Sequence, residues 1–515
     1  MPKGFPRASR APARAAPLGC TRAPPSVPLL GGIALSSPAR WLGGLSGLIV
    51  ALGCCWLVGR SGGIEVARWQ LLALIALWAV AALVAAVCLT PVVGRRGGPV
   101  VLLVALAFQA TALVHGPQLS DDLYRYVWDA RVAAAGVDPY RFPPDDPALV
   151  PLREHFLWPT AQQCAVARAD LPRDARANPF AGLAERSTCT PINRPSVRTL
   201  YPPFAQLSFR LAAAITPDRA RELQVQVPAA LVSLGLTGLL LGLLRRARAP
   251  AALLYAAGPL AGLEAGMDGH IDVLATLLGV AALALLARRR PQVAAVAGAA
   301  VLVALATLTK LYPALLAVVA VPRIVGSWLR ATVFVATGLA VCVLLYLPHV
   351  LRVGVQVVGY LPGYLQENGY GDASRFSLVG LLGLGPTGTR AAVAVLLVGV
   401  LAAAVVRPLA QGLAAVAVRG CWVFGGAFLV VTPGDAWYCS LLLACAVLAG
   451  RPEWLAVVLA SYGAYFGALL QGDPRLPAVF WGGAALVVLV AAGLRRVSAG
   501  PGQQRKGAGA RPVSR

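Results

Sequence analysis

The chain has 515 residues, 58% of them hydrophobic and 13% charged, with a formal net charge of +24. Soluble globular chains carry about 25% charged residues, so composition excludes an ordinary soluble enzyme. The positive excess lies largely in the tails and short loops, where it sets membrane orientation and does not indicate nucleic-acid binding.

Residues 1–40 are rich in Pro, Ala and Arg and hold no acid, a composition that builds no core. They read as a disordered cytoplasmic tail. Apolar runs follow near 41–59, 70–91 and 98–115, each long enough to cross a hydrocarbon layer of about 30 Å. Arg95 and Arg96 between the second and third predict a cytoplasmic loop, which places the residues after His115 outside.

Residues 116–200 form the longest polar stretch. Structureless loops beyond about 15 residues are usually functional or disordered, and the scattered Trp, Tyr and Phe here favour an ordered element. It opens with Ser120, Asp121, Asp122, Leu123, Tyr124, Arg125, Tyr126, Val127, Trp128 and Asp129, the densest charge in an otherwise apolar chain. One carboxylate of the Asp121–Asp122 pair at a membrane-facing site can serve as a general base. The same pair also suits a helix N-terminus. Cys164 and Cys189 lie in this loop and are expected to form a disulfide if it is outside. Most of the other cysteines sit in apolar runs, and no CxxC or metal-type spacing occurs among the ten.

Further spans are expected near 225–244, 249–264, 271–287, 291–309, 311–322, 325–347, 388–406, 411–431, 438–450, 453–470 and 476–494. Fourteen spans put both termini on one side, with Arg245, Arg246, Arg248, Arg288–Arg290, Arg323, Arg407 and Arg451 in the cytoplasm. Residues 201–217 are apolar but carry Arg210, and they read as an interfacial or re-entrant helix. The tail 495–515 is basic and free of acids. The expected class is therefore all-α: a polytopic bundle of about 13–15 spans, with a transmembrane domain over 41–494 and a large external loop bearing short helices.

With this topology, polar spots at distant span ends share one face: Glu264 to Asp272, Lys310 to Pro313, the loop 348–376 and Thr432 to Tyr438. Helical packing brings such ends together. Lys310 suits a phosphate as a point charge, or it snorkels to headgroups. His270 and Asp272, with Glu264 nearby, suit sugar hydroxyls or a phosphate; one histidine with two acids is a weak metal set, and no metal or other cofactor is expected. Tyr360, Tyr364, Glu367, Tyr370 and Arg375 decorate the third spot, where Gly363, Gly369 and Gly371 suggest a mobile lid. Trp437 and Tyr438 either stack on a sugar or anchor a helix.

The segments SDDLYRYVWDARVAAAGVDPYRFPPDDPAL (120–149), INRPSVRTLYPPFAQLSF (192–209), GHIDVLATLL (269–278), TKLYPALL (309–316) and PGDAWY (433–438) resemble the motif series of bacterial integral-membrane glycosyltransferases of the GT-C superfamily, especially its polyprenol-phosphate-mannose-dependent mannosyltransferases. The resemblance covers roughly 98–450. It implies a GT-C-like enzyme in the plasma membrane whose external loop holds a catalytic aspartate, matched best by Asp122, with Asp121 in reserve. It implies a lipid-phosphate sugar as donor and a glycan or glycolipid as acceptor. Arg125, Tyr126, Asp129, Tyr201, Glu264, His270, Asp272, Lys310, Tyr312, Arg375, Trp437 and Tyr438 then form the expected substrate contacts. The chain departs from the family in placing additional spans before this loop. A lipid or polysaccharide transporter without chemistry is the alternative.

Overall fold

A computed structural model describes residues 36–64, 66–93, 97–160, 162, 190–217, 220–244, 246–288, 291–408, 411–471 and 475–498. Cys164 and Cys189, Arg95 and Arg96, Arg245, Arg289 and Arg290, and nearly all of both tails lie outside the described residues. The chain divides into two units, Met1–Ala34 with Ala491–Arg515, and Leu35–Val490. Of the first unit, only the last turns of the final helix are described; the second holds every other described element.

The described residues are helical and contain no strand. Helices long and apolar enough to span a membrane lie within Ser37–Gly59, Arg68–Val93, Leu223–Leu243, Trp328–Glu367, Gly385–Val406, Leu413–Val431 and Arg475–Val497. Shorter apolar helices run over Gly97–Ala112, Asp272–Leu286, Val293–Thr307, Tyr312–Ile324 and Ala436–Ala449. The chain is thus a polytopic helical membrane protein. Several expected spans are shorter than read from hydropathy. A 15-residue helix such as Asp272–Leu286 reaches only about 22 Å at 1.5 Å per residue. Its polar first residue, Asp272, therefore sits where other polar ends gather.

The first two helices pack closely because small residues let their backbones approach. A Cβ on Gly47 would lie 2.8 Å from the Ala81 carbonyl oxygen. Near the other margin, Trp328–Val353 buries only Phe334. Its outward Leu339, Val343, Leu344 and Leu351 form the kind of surface that lipid solvates.

The expected span at 249–264 is corrected. In its place come a 3₁₀ segment Arg246–Ala252, a short α-turn Leu253–Ala256 and a π-helix Leu260–Met267. Broken backbone at membrane depth is tolerated only where protein buries it and supplies hydrogen bonds. Both conditions are met: residues 252–270 are all buried. Trp78 Nε1 donates to the Ala257 carbonyl at 2.6 Å, Gln109 Nε2 to that of Ala261 at 2.8 Å, and Gln226 Nε2 to that of Met267 at 2.6 Å. Packing is tight here, since a Cβ on Gly262 would lie 2.7 Å from the Trp78 ring. Gly262→Ala is expected to cost about 1–3 kcal/mol through overpacking, read as a lowered thermal midpoint in detergent. Gly53→Ala, whose Cβ meets nothing within 4 Å, is the control.

The polar segment folds on its own core. Leu123, Tyr126, Val127 and Trp128 of the helix Asp122–Ala134 pack with Leu149, Leu157, Ile192, Tyr201 and Phe209. Tyr126 stacks on Phe209 with centroids 4.4 Å apart and meets the edge of Tyr201 at 4.9 Å. Residues 203–215 form a short helix on which Phe209 points inward and Arg210 outward. Aromatic burial, about 150–250 Å² per ring, holds the described parts of this connection together.

Candidate active site

The helix Asp122–Ala134 starts directly after Asp121, so both carboxylates stand at its N-terminal end, where the helix dipole favours negative charge. Adjacent residues on a helix diverge, yet a single side chain bridges these two. Asn193 Nδ2 donates to Asp122 Oδ1 at 2.5 Å and to Asp121 Oδ1 at 3.1 Å. Tyr126, one turn on, donates its hydroxyl to Asp122 Oδ2 at 3.4 Å. Both oxygens of Asp122 are thereby oriented.

Asn193 and its neighbour Arg194 were not expected at the site, although the INRP segment carries them. Arg194 holds a left-handed φ of 46°, and its guanidinium forks onto Glu367, with Nε–Oε2 at 2.9 Å and Nη2–Oε1 at 2.6 Å. That bidentate pair ties the Asn193 segment to the helix Leu361–Glu367, the lid expected from its glycines. From the same helix, Tyr364 donates its hydroxyl to Asp435 Oδ2 at 3.2 Å and lies 3.0 Å from the Tyr438 hydroxyl. Four sequence-distant segments converge here.

Lys310 ends the polar tip after Val293–Thr307. Its ammonium lies 3.6 Å from Asp272 Oδ2. It is flanked by the rings of Tyr201 at 5.1 Å and Tyr438 at 5.4 Å, a cation–π setting. Burial opposes the charge on Asp122, but Lys310, His270 and Arg194 outweigh it and hold the carboxyl below its ordinary range. Asp122 is thus an anion at neutral pH.

His270 reaches this corner through a sharp turn. Gly269 has φ +64°, and any Cβ there would crowd Val225 and Leu123. The imidazole stacks on Trp437 with centroids 4.1 Å apart, and its Nδ1 lies 2.9 Å from Glu264 Oε2. Burial disfavours a charged His270, yet Glu264, Asp268 and Asp122 overcome it and raise its pKa to about 9. Asp268 accepts from the backbone N–H groups of Gln118 and Leu119 at 2.6 and 3.2 Å, fixing the approach to Asp121.

Two expected substrate contacts have partners within the protein. Arg125 and Asp129 are buried and bond to each other at 3.0 Å. Arg125 also donates to the carbonyls of Asn193, Arg194 and Val197, and Asp129 accepts from Gln206 at 2.8 Å. These contacts shape the 193–199 segment. One face of Trp437 is likewise taken by His270. Arg375 lies 3.8 Å from Asp435 and donates to Asn368 at 3.1 Å. Tyr312 lies beside Tyr438 and Phe428 in an aromatic wall, with centroids at 5.3 and 6.2 Å.

Residues 199–433 match the model of glycosyltransferase family 87. The matched stretch, somewhat less than half of the chain, includes Tyr201, Glu264, His270, Asp272, Lys310 and Arg375, and it begins after Asp121, Asp122 and Asn193. The likeness points to a glycosyltransferase, with a sugar donor and a glycan acceptor as its substrates in general. No curated protein and no solved structure matches the chain.

Proposed function

We propose that this protein is an inverting membrane glycosyltransferase that moves a hexose, mannose by the motif resemblance, from a polyprenyl-phosphate sugar to a lipid- or glycan-linked acceptor. On this proposal it sits in the plasma membrane with both termini cytoplasmic and the site on the outer face. The observation that carries it is the Asp122 carboxylate, oriented by Asn193 and Tyr126 beside the Lys310 ammonium. The family 87 likeness supports the same chemistry.

The reaction balances with few groups. Asp122 takes the proton of the acceptor hydroxyl as its oxygen bonds to the anomeric carbon. The bond from that carbon to the phosphate oxygen breaks, and the electron pair leaves with polyprenyl phosphate. A phosphate is a good leaving group and needs charge stabilisation more than protonation. That separates the site from a glycosidase, which uses an acid and a base together. His270, Asp272 and Tyr438 border Lys310 and Asp122 and are placed to order the sugar and acceptor hydroxyls.

Purified protein in lipid nanodiscs, given radiolabelled polyprenyl-phosphate mannose and candidate glycolipid acceptors, is expected to release polyprenyl phosphate and label the acceptor. Movement of intact donor between leaflets without bond cleavage would instead support the transporter reading.

Asn193 is a positioning residue in this scheme. A hydrogen bond to a charged group contributes about 1.5–3 kcal/mol, so Asn193→Ala is expected to lower kcat about ten- to hundredfold. KM for the donor should change little, because the phosphate contacts remain. An unchanged kcat would remove Asn193 from the orientation of the base.

A further inference from the structure

We propose that Glu264, Asp268 and His270 form a binding site for one divalent cation of the Zn²⁺ or Mn²⁺ type. Their ligand atoms, one carboxylate oxygen from each acid and one imidazole nitrogen, all lie within 4.8 Å of one another. Tetrahedral ligands at about 2.0–2.2 Å from a shared ion stand about 3.3–3.6 Å apart, so closure needs side-chain shifts of up to about one ångström.

The site is built and not a chance surface cluster. All three residues are at most 1% exposed. Both oxygens of Glu264, Asp268 Oδ2 and both ring nitrogens of His270 lack an aligned hydrogen-bond partner among the described residues, and the Tyr462 hydroxyl is a nearby donor to Glu264. The 2.9 Å approach of His270 Nδ1 to Glu264 Oε2 is an ion-pair contact not aligned as a hydrogen bond. Leaving buried carboxylate oxygens without a donor costs several kcal/mol. A proton on His270 answers only Glu264 and leaves Asp268 Oδ2 without a donor; a bound ion takes the place of that proton, so positive charge beside Asp122 is kept. A cation at the centre answers all three residues at once.

The backbone is shaped for this. The π-helix Leu260–Met267 ends in a bond from the Asp268 N–H to the Leu263 carbonyl at 2.8 Å. The His270 N–H then donates to the Glu264 carbonyl at 2.8 Å, folding the imidazole back over the Glu264 carboxylate. π-helical turns of this kind concentrate at functional sites. Imidazole with two carboxylates suits a borderline cation better than Mg²⁺. Trp437, stacked on the ring of His270, fixes the orientation of the histidine ligand.

The cation's effect reaches Asp122 through Asp268. The other oxygen of Asp268 already holds the Gln118 and Leu119 amides, so a cation fastening Asp268 fastens the stretch of chain that leads into Asp121 and Asp122. The ion acts here as a clamp and takes no part in the bond changes of transfer.

The test strips purified full-length protein with chelator, then adds Zn²⁺ or Mn²⁺ and measures bound metal by mass spectrometry, thermal midpoint and amide exchange. Expected are about one equivalent per chain, a midpoint raised by several degrees, and slowed exchange at Gln118 and Leu119. Glu264→Gln and His270→Ala are each expected to lose at least nine-tenths of the bound metal. Wild-type protein that takes up no metal and shows no rise in midpoint overturns the site, whether or not the variants fold. Full uptake by both variants also overturns it. Uptake with unchanged exchange at Gln118 and Leu119 overturns the clamp. These readouts need no substrate, so protein that binds the cation but transfers no sugar would sink the proposed reaction alone.

Discussion

Asp122→Asn is expected to reduce transfer about 10²- to 10⁴-fold, the usual loss when a general base is removed, while expression and membrane insertion stay normal. The substitution is nearly isosteric, and the amide oxygen still accepts from Asn193, so geometry is kept while basicity is lost. Lys310, His270 and Arg194 hold the Asp122 carboxyl below its ordinary range, which makes it a weak base. A weak base cannot ionise a free hydroxyl of the acceptor. It takes the proton late, once the acceptor oxygen has bonded to the anomeric carbon and become strongly acidic. Because Asp122 works as an anion and its pKa is lowered, its own titration should not cut kcat/KM until pH falls below about 4, the ordinary carboxylate range. Asp121→Asn should cost far less, since Asp121 shares the Asn193 amide but lacks the Tyr126 contact. Near-normal turnover by Asp122→Asn in a radiolabelled-donor assay would take Asp122 out of the mechanism.

The all-helical membrane class was legible because apolar run length reports directly on bilayer crossing. The broken stretch 246–267 was not legible, since hydropathy carries no information about which backbone groups keep their helical partners. Its only trace is indirect: Trp78, Gln109 and Gln226 are polar hydrogen-bond donors inside apolar runs, and each serves a carbonyl of the broken segment. At the site, the polar span ends expected to share one face include Asp122, His270, Asp272, Lys310 and Tyr438, which the structure sets near one another. The pairing of Arg125 with Asp129 was legible as well. Their i,i+4 spacing is that of a helical ion pair, which competes with any substrate for the same charges. Asn193 could not be placed beside Asp121 and Asp122 from sequence, because that contact spans about seventy residues and depends on the Arg125 clamp that shapes the 193–199 segment.

Lys310→Met is expected to lower turnover about 10²- to 10³-fold, the loss typical when a preorganised electrostatic partner of a developing anion is removed. The single variant also harms folding. It leaves Asp272, 1% exposed, without its cation, and breaking a buried pair from one side costs about 3–5 kcal/mol. Activity loss alone is therefore ambiguous. The double variant Lys310→Met with Asp272→Asn resolves it, because neutralising both partners of a buried pair is often close to neutral for stability. Restored thermal midpoint with turnover well below that of the single Asp272→Asn variant is expected if the ammonium, held between Tyr201 and Tyr438, serves the leaving phosphate. The 3.6 Å separation from Asp272 is loose for a direct ion pair, and it lets Lys310 turn toward an incoming phosphate without first breaking a strong bond. If the double variant instead recovers both stability and turnover, Lys310 exists to neutralise Asp272, and the phosphate must be met by Arg194 or Arg375.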